Sequence, residues 1–69
     1  MTRDEWIAAF AREAGVTAPS IEEIRDLLDL AGTAAHSSER PAAPLACWIA
    51  ARSELSLPEL LAAAAAIGD

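Results

Sequence analysis

The side chains best suited to chemistry fall in one short segment, residues 36–45, whose sequence is HSSERPAAPL. Its His36 and Arg40 could together hold a phosphate or a carboxylate through charge-assisted hydrogen bonds. Free backbone amides at the start of a following helix would add to such an anion site. Proline at positions 41 and 44 removes two of those amides. The segment therefore leaves two interpretations open, a structural connection between helices or a contact site for a ligand or protein partner.

The structural interpretation places this segment at the junction of two helices. His36 lies near the negative end of the preceding helix, where a protonated imidazole is favoured. Arg40 precedes the next helix, where a cation is poorly placed, so its guanidinium is expected to turn towards Asp29 or the last carbonyls of the preceding helix. For a ligand or partner contact, the candidate residues are His36, Arg40, Pro41, Pro44 and Asp29.

No residue pattern predicts catalysis. Ser37 and Ser38 adjoin His36, but no third group is evident that would orient the histidine as the base of a nucleophilic site. The single cysteine, Cys47, lies in an apolar stretch and is predicted to be a small core residue. We therefore predict no enzyme activity and no cofactor.

The acidic residues of the second helix are better explained as a solvated face than as a metal or acid–base site. Asp26 and Asp29 are three residues apart, but Glu22 and Glu23 surround them and the chain has one histidine. Arg25 is placed to pair with Asp29 at i, i+4 spacing. No metal site is predicted.

The composition is that of a small acidic domain with a thin core. The chain has 69 residues and a net charge of -6, which disfavours binding to nucleic acid or an anionic membrane. Its hydrophobic fraction is 54%, yet alanine accounts for 18 of those residues and buries little area each. A single core at this size rarely supplies more than about 3–5 kcal/mol. Self-association or attachment to a larger protein is therefore expected.

A cytoplasmic location is expected by elimination. The first residues, MTRDEW, are charged and amphipathic, unlike a signal peptide. The longest stretch without a charged residue, 41–51, is much shorter than the roughly 20 residues that a membrane-spanning helix needs. One cysteine cannot form an internal disulfide.

Three helix starts carry the same capping signal, a serine or threonine followed three residues later by glutamate. The pairs are Thr2 with Glu5, Ser20 with Glu23 and Ser56 with Glu59. Proline at 41 and 44 marks a further helix start, because proline is tolerated in the first turn. Gly15 is predicted to end the first helix in the left-handed conformation. The last helix is predicted to end at Gly68.

Helices are predicted over residues 3–14, 21–36, 41–53 and 57–67, and no segment predicts a strand. The fold class is therefore all-α, a compact bundle of about four short helices in one domain, residues 1–69.

Helical spacing predicts which residues face the core. The predicted inward residues are Trp6, Ile7, Phe10 and Ala14 in the first helix, Ile21, Ile24, Leu27, Leu28, Ala31 and Ala35 in the second, and Leu57, Leu60, Leu61 and Ala64 in the fourth. The third helix is uncharged on all sides and is predicted to be the buried centre of the bundle. Both tryptophans, Trp6 and Trp48, are predicted to lie in the core, with half-exposure on a dimer or docking surface as the alternative.

The chain resembles DUF6457, a family of short actinobacterial helical proteins often labelled molybdopterin-guanine dinucleotide biosynthesis proteins. The residues that carry the resemblance are Trp6, the run Leu28-Asp29-Leu30-Ala31, the pair Ala35-His36, and Arg40-Pro41-Ala42-Ala43-Pro44-Leu45. Relatives usually have charged residues where this chain has Gly32-Thr33. The resemblance implies a small helical domain, found alone or appended to a nucleotidyltransferase of molybdenum-cofactor synthesis.

These observations lead to one main hypothesis and one alternative. The main hypothesis is a non-catalytic interaction module that docks on a larger enzyme or on itself, in the context of molybdenum-cofactor synthesis. The alternative is a small-molecule binding domain that holds an anionic nucleotide or pterin phosphate with the segment from His36 to Leu45.

Overall fold

The computed structural model describes residues 1–67 and contains four α-helices. They are α1 (Arg3–Ala14), α2 (Ile21–Ser37), α3 (Ala42–Arg52) and α4 (Leu57–Ile67). No strand occurs among these residues, so the predicted all-α class is confirmed. Helix α2 runs one residue past its predicted end, and α3 is one residue shorter than predicted at each end. Gly68, predicted to end α4, lies outside the described residues.

All three predicted capping boxes are present. The Glu5 amide donates to Thr2 Oγ1 at 3.1 Å, and the Thr2 amide donates to Glu5 Oε1 at 2.7 Å. Ser20 and Glu23 make the same reciprocal pair at 3.1 and 2.7 Å. Ser56 and Glu59 repeat it at 3.3 and 2.8 Å. Each box satisfies amide groups that the helix geometry leaves without a partner, so it fixes where the helix begins.

Gly15 ends α1 in the left-handed conformation, as predicted, with a φ of 76°. Its amide donates to the Arg12 carbonyl oxygen, and the Val16 amide donates to that of Ala11. This pair of bonds is the Schellman motif, which turns the chain away from the helix axis. A side chain at position 15 would be strained by the positive φ.

Helix α2 is the centre of the fold, because α3 and α4 both pack against it. Leu30, in the middle of α2, is the most buried large side chain at 5% exposed, and Ala50 of α3 is also buried. The prediction that α3 forms the buried centre is wrong. The absence of charged residues makes burial of α3 favourable on every side, but the other helices do not cover its outer side.

Several residues predicted to face the core are exposed instead. These are Trp6, Phe10 and Ala14 in α1, Ile21 and Leu28 in α2, and Trp48 in α3. Helix α1 has at most a slight contact with any other helix of residues 1–67, so its apolar face has little to pack against. Helical spacing identified apolar faces correctly but did not show whether a neighbouring helix would cover them. In α4, by contrast, all four predicted inward residues are at least half-buried.

The four helices form the compact bundle that was predicted, longer in one direction than in the other two. The principal extents are 37 × 24 × 18 Å and the radius of gyration is 12.6 Å. The usual scaling gives a radius of about 11 Å for a folded chain of this length. No helix within residues 1–67 is both long enough and apolar enough to cross a membrane.

Replacing Ser20 by alanine is expected to lower the free energy of unfolding by about 1 kcal/mol. The reason is that the Glu23 amide loses its acceptor at the start of the central helix. Urea unfolding at a fixed chain concentration measures the change. Thr17→Ala is the matched control, because Thr17 is also an exposed hydroxyl residue but caps no helix. Equal losses of stability in the two variants would contradict a specific capping role.

Acid is expected to weaken α1 and α4 at their starts. The Thr2 backbone amide, with a smaller contribution from the Thr2 hydroxyl, lowers the pKa of Glu5 below its ordinary value of 4.5, and Ser56 lowers the pKa of Glu59 in the same way. Because the folded pKa values are depressed, the stabilisation is complete above pH 4.5 and is lost as the pH falls through the lower folded values.

Circular dichroism during acid titration checks this expectation. The variant with both Glu5→Gln and Glu59→Gln should lose less helicity between neutral and acid pH than the wild type, since glutamine cannot titrate. Glu54→Gln is the control, because Glu54 lies outside the capping boxes. An unchanged acid transition in the double variant would show that these two carboxylates do not contribute to it.

Candidate functional site

The structure places two of the five candidate contact residues in one groove. Asp29 and His36 are exposed and are seven residues apart on α2, which puts them on the same side of the helix. They line a shallow groove together with Leu28, Gly32 and Thr33. A Cβ atom added at Gly32 would meet no atom within 4 Å, so the groove is open at this point.

Arg40 does not make the contacts expected of it. Its guanidinium forms no ion pair with Asp29 among residues 1–67 and does not line the Asp29–His36 groove. Near the end of α2, the carbonyl oxygen of Thr33 accepts from the Ser37 hydroxyl at 2.6 Å, and that of Ala34 accepts from the Ser38 hydroxyl at 2.8 Å. Serine hydroxyls reach these carbonyls from within the same turn, so a long arginine side chain is not needed there.

The first two amides of α3 are not free to bind an anion. Pro41 caps the helix and Pro44 lies in its first turn, and neither has an N–H group. The Ala42 amide donates to the Glu39 carbonyl oxygen at 2.9 Å, and the Ala43 amide donates to that of Arg40 at 3.1 Å. An anion at this position would therefore have to be held without these two amides.

The acidic face of α2 pairs differently from the prediction. Arg25 Nε lies 3.7 Å from Asp26 Oδ1, so its ion pair is with the adjacent residue and not with Asp29. The Arg25 side chain is three-quarters exposed, so the interaction contributes little to stability. No group of three potential metal-ligating side chains is found within residues 1–67.

Cys47 is half-buried, with its thiol unpaired. It lines a groove between α2, α3 and α4, beside Leu27, Leu55 and Leu57. Its surroundings are mainly apolar, which agrees with the prediction of a packing residue more than with a reactive one.

Two exposed apolar surfaces contain the tryptophans, which were predicted to lie in the core with half-exposure as the alternative. The first is the α1 ridge, formed by Trp6 and Phe10, which are 54% and 58% exposed. Their rings stack with centroids 5.2 Å apart and planes 27° apart. The i, i+4 spacing of two aromatic residues predicts this stacking, but not that it faces outward.

The second surface is the α3 stripe, formed by Leu45, Trp48 and Ile49 with Arg52 at its end. The three apolar side chains are 64%, 63% and 61% exposed. The guanidinium carbon of Arg52 lies 4.8 Å from the Trp48 ring centroid, a cation–π contact. Positions i, i+3, i+4 and i+7 form one continuous face of a helix.

The opposite face of α3 explains why the large residues point outward. It consists of small residues, namely Ala43, Ala46, Cys47 and Ala50, all half-buried or buried. Small side chains allow α3 to lie close to α2, since the distance between helix axes depends on the residues at the contact. The division of α3 into a small face and a large face is visible in the sequence and is the signal that could have located the stripe.

Comparison with known proteins places the chain in a family. The model of DUF6457, described as a domain of unknown function, matches residues 1–67. The chain belongs to the DUF6457 family. No curated protein and no solved structure matches it. The DUF6457 description names no activity, so the function has to be argued from the surfaces of the molecule.

Inorganic phosphate is expected to leave the Ala42 and Ala43 amide resonances unmoved, because both amides already donate to backbone carbonyls. A titration followed by amide chemical shifts, up to millimolar phosphate, measures this. The Glu23 amide, which is engaged in a capping box, reports any general effect of ionic strength. A saturable shift confined to Ala42 and Ala43 would show that this turn opens to bind an anion.

Proposed function

We propose that this DUF6457 protein is a non-catalytic helical interaction module that binds a larger protein through the α1 ridge. The observation that carries the proposal is the stacked, half-exposed pair of Trp6 and Phe10 on a helix that contacts the rest of the fold only slightly. Tryptophan is enriched among the residues that dominate binding energy at protein interfaces. A monomeric fold gains little from two large aromatic side chains that remain in water.

The geometry of α1 is suited to insertion into a groove. Two aromatic side chains at i, i+4 on one face are the anchor pattern of helices that bind in hydrophobic grooves. Stacking restricts both rings before binding, which reduces the conformational entropy lost when the complex forms. Helix α1 is itself held by a capping box and a Schellman motif, so the ridge is presented on a helix with both ends fixed.

The acidic net charge of this chain indicates what kind of protein would bind the α1 ridge. The chain carries a net charge of -6, and the first turn of α1 contains Asp4, which pairs with Arg3, and Glu5. Complementary potentials speed association and disfavour wrong partners. The proposed partner site is therefore an apolar groove with basic residues at its rim.

The family resemblance suggests where to look for the partner. Proteins of this family often carry a molybdopterin-guanine dinucleotide biosynthesis label, so a nucleotidyltransferase of molybdenum-cofactor synthesis is the first candidate to test. The alternative of a binding site for an anionic nucleotide or pterin phosphate has less support. The Ala42 and Ala43 amides are engaged with backbone carbonyls, and of its five candidate residues Asp29 and His36 share a groove.

Replacing both Trp6 and Phe10 by alanine is expected to weaken partner binding by at least about 30-fold, the effect of losing a dominant interface residue. The fold should be retained, because both side chains are more than half exposed. Capture from the native extract followed by mass spectrometry identifies the partner. Titration of the purified partner by calorimetry then gives the affinities of wild type and variant.

Val16→Ala is the matched control for this experiment. Val16 is also an exposed apolar residue next to α1, but it lies outside the stacked pair. It should bind the partner as the wild type does. A double variant that binds with unchanged affinity, or a wild-type chain that retains no protein partner, would count decisively against the proposal.

A further inference from the structure

The folded chain exposes more surface than a monomer of its size normally does. Its accessible surface is 5411 Å². A compact monomer of 69 residues exposes about 4,100 Å² by the usual scaling of surface with mass. The excess is therefore about 1,300 Å² per chain.

The excess surface is accompanied by a small core, in which Leu30 is the large buried residue among residues 1–67. The buried apolar residues are Ala11, Leu30 and Ala50, and two of the three are alanine. No side chain among the described residues is less than 2% exposed. An interface of standard size removes about 800 Å² from each partner, which fits within the excess. Covering one apolar surface would thus bring the exposed area close to that of an ordinary folded protein.

The α3 stripe is the surface on which two copies of this chain can meet. Two molecules that each carry a charge of -6 repel, so a shared contact must be free of acidic residues. Residues 41–51 contain no charged side chain, whereas α1 carries five, namely Arg3, Asp4, Glu5, Arg12 and Glu13. The interfaces of homodimers are also more apolar than those of transient complexes.

The stripe is self-complementary in its arrangement. Trp48 and Ile49 lie at its middle, so a two-fold axis passing there lets each copy cover both residues of the other. Arg52, stacked on the Trp48 ring, supplies one cation at the end of the stripe in an otherwise acidic chain. The neighbouring Ala51 is exposed and small, which permits close approach of a second helix.

We propose that this chain forms a homodimer through the α3 stripe, with Leu45, Trp48 and Ile49 at the centre of the contact. The inference deepens the proposed function, because it assigns a second copy of the chain to one of the module's two apolar surfaces. The α1 ridges then remain free, so that one dimer presents two of them to a partner.

Sedimentation equilibrium over a range of chain concentrations tests the dimer. The wild type is expected to sediment with twice the mass of one chain. Trp48→Glu and Ile49→Glu should each raise the dimer dissociation constant by more than about 30-fold, because a carboxylate enters an uncharged contact. Circular dichroism should show the helices retained, since both positions are more than half exposed. The Trp6→Ala, Phe10→Ala variant, which alters only the α1 ridge, should remain dimeric.

A second measurement leaves α3 unchanged. In a Trp6→Phe background, the fluorescence of Trp48 should shift to shorter wavelength as the concentration rises, because the ring leaves water. Constant emission together with a monomeric mass overturns the dimer. Dissociation by the ridge variant but not by Trp48→Glu overturns the assignment to α3.

The dimer and the proposed function can fail separately. A wild-type monomer that binds a protein through Trp6 and Phe10 overturns the dimer and leaves the interaction module standing. A dimer broken by Trp48→Glu whose α1 ridge binds no protein supports the dimer and overturns the module.

Discussion

Close approach of helices through small side chains is the constraint on which this structure depends. Helix α2 contributes Ala31, Ala34 and Ala35 to its half-buried surface, and α3 contributes its row of alanines and Cys47. Small residues on both sides allow two helix axes to lie near one another, which strengthens dispersion contacts between the backbones. The same choice leaves the large side chains of α3, namely Leu45, Trp48 and Ile49, on its outer face. The large buried side chain comes from α2, where Leu30 is 5% exposed.

That arrangement makes local signals unusually important for the fold. With little large apolar area buried, each helix relies on its own ends to begin and finish correctly. The three capping boxes and the Gly15 turn satisfy backbone groups that would otherwise depend on water. Helix ends of this kind are encoded in four consecutive residues. The positions of the helices were therefore predictable from the sequence, because the interactions that determine them lie within one turn.

The faces of the helices were less predictable, because exposure depends on residues far apart in the chain. The periodicity of α1 shows an apolar side, but the slight contact of α1 with the other helices decides that Trp6 and Phe10 stay in water. In α3 the absence of charge suggested burial on all sides. The helix instead packs against α2 by its alanine face, and hydropathy alone does not show which of two apolar faces will be covered.

For the candidate site, the shared groove of Asp29 and His36 follows from helical spacing. The position of Arg40 does not, because Arg40 lies beyond the end of α2, where helical spacing no longer applies.

The two exposed surfaces differ in the number of charged side chains they carry, and permanent interfaces contain fewer charges than reversible ones. The α3 stripe is uncharged along residues 41–51 and has Arg52 at one end, so its apolar centre can be covered without desolvating an acidic group. Helix α1 carries charges of both signs, namely Arg3, Asp4, Glu5, Arg12 and Glu13, which would bring salt dependence and charge selectivity to a contact on its ridge. In the proposed arrangement, a chain that buries few large side chains would use one surface to complete its fold and the other to choose a partner. The acidic net charge fits both proposals, because it would restrict self-association to the surface without acidic residues and would favour a basic partner at α1.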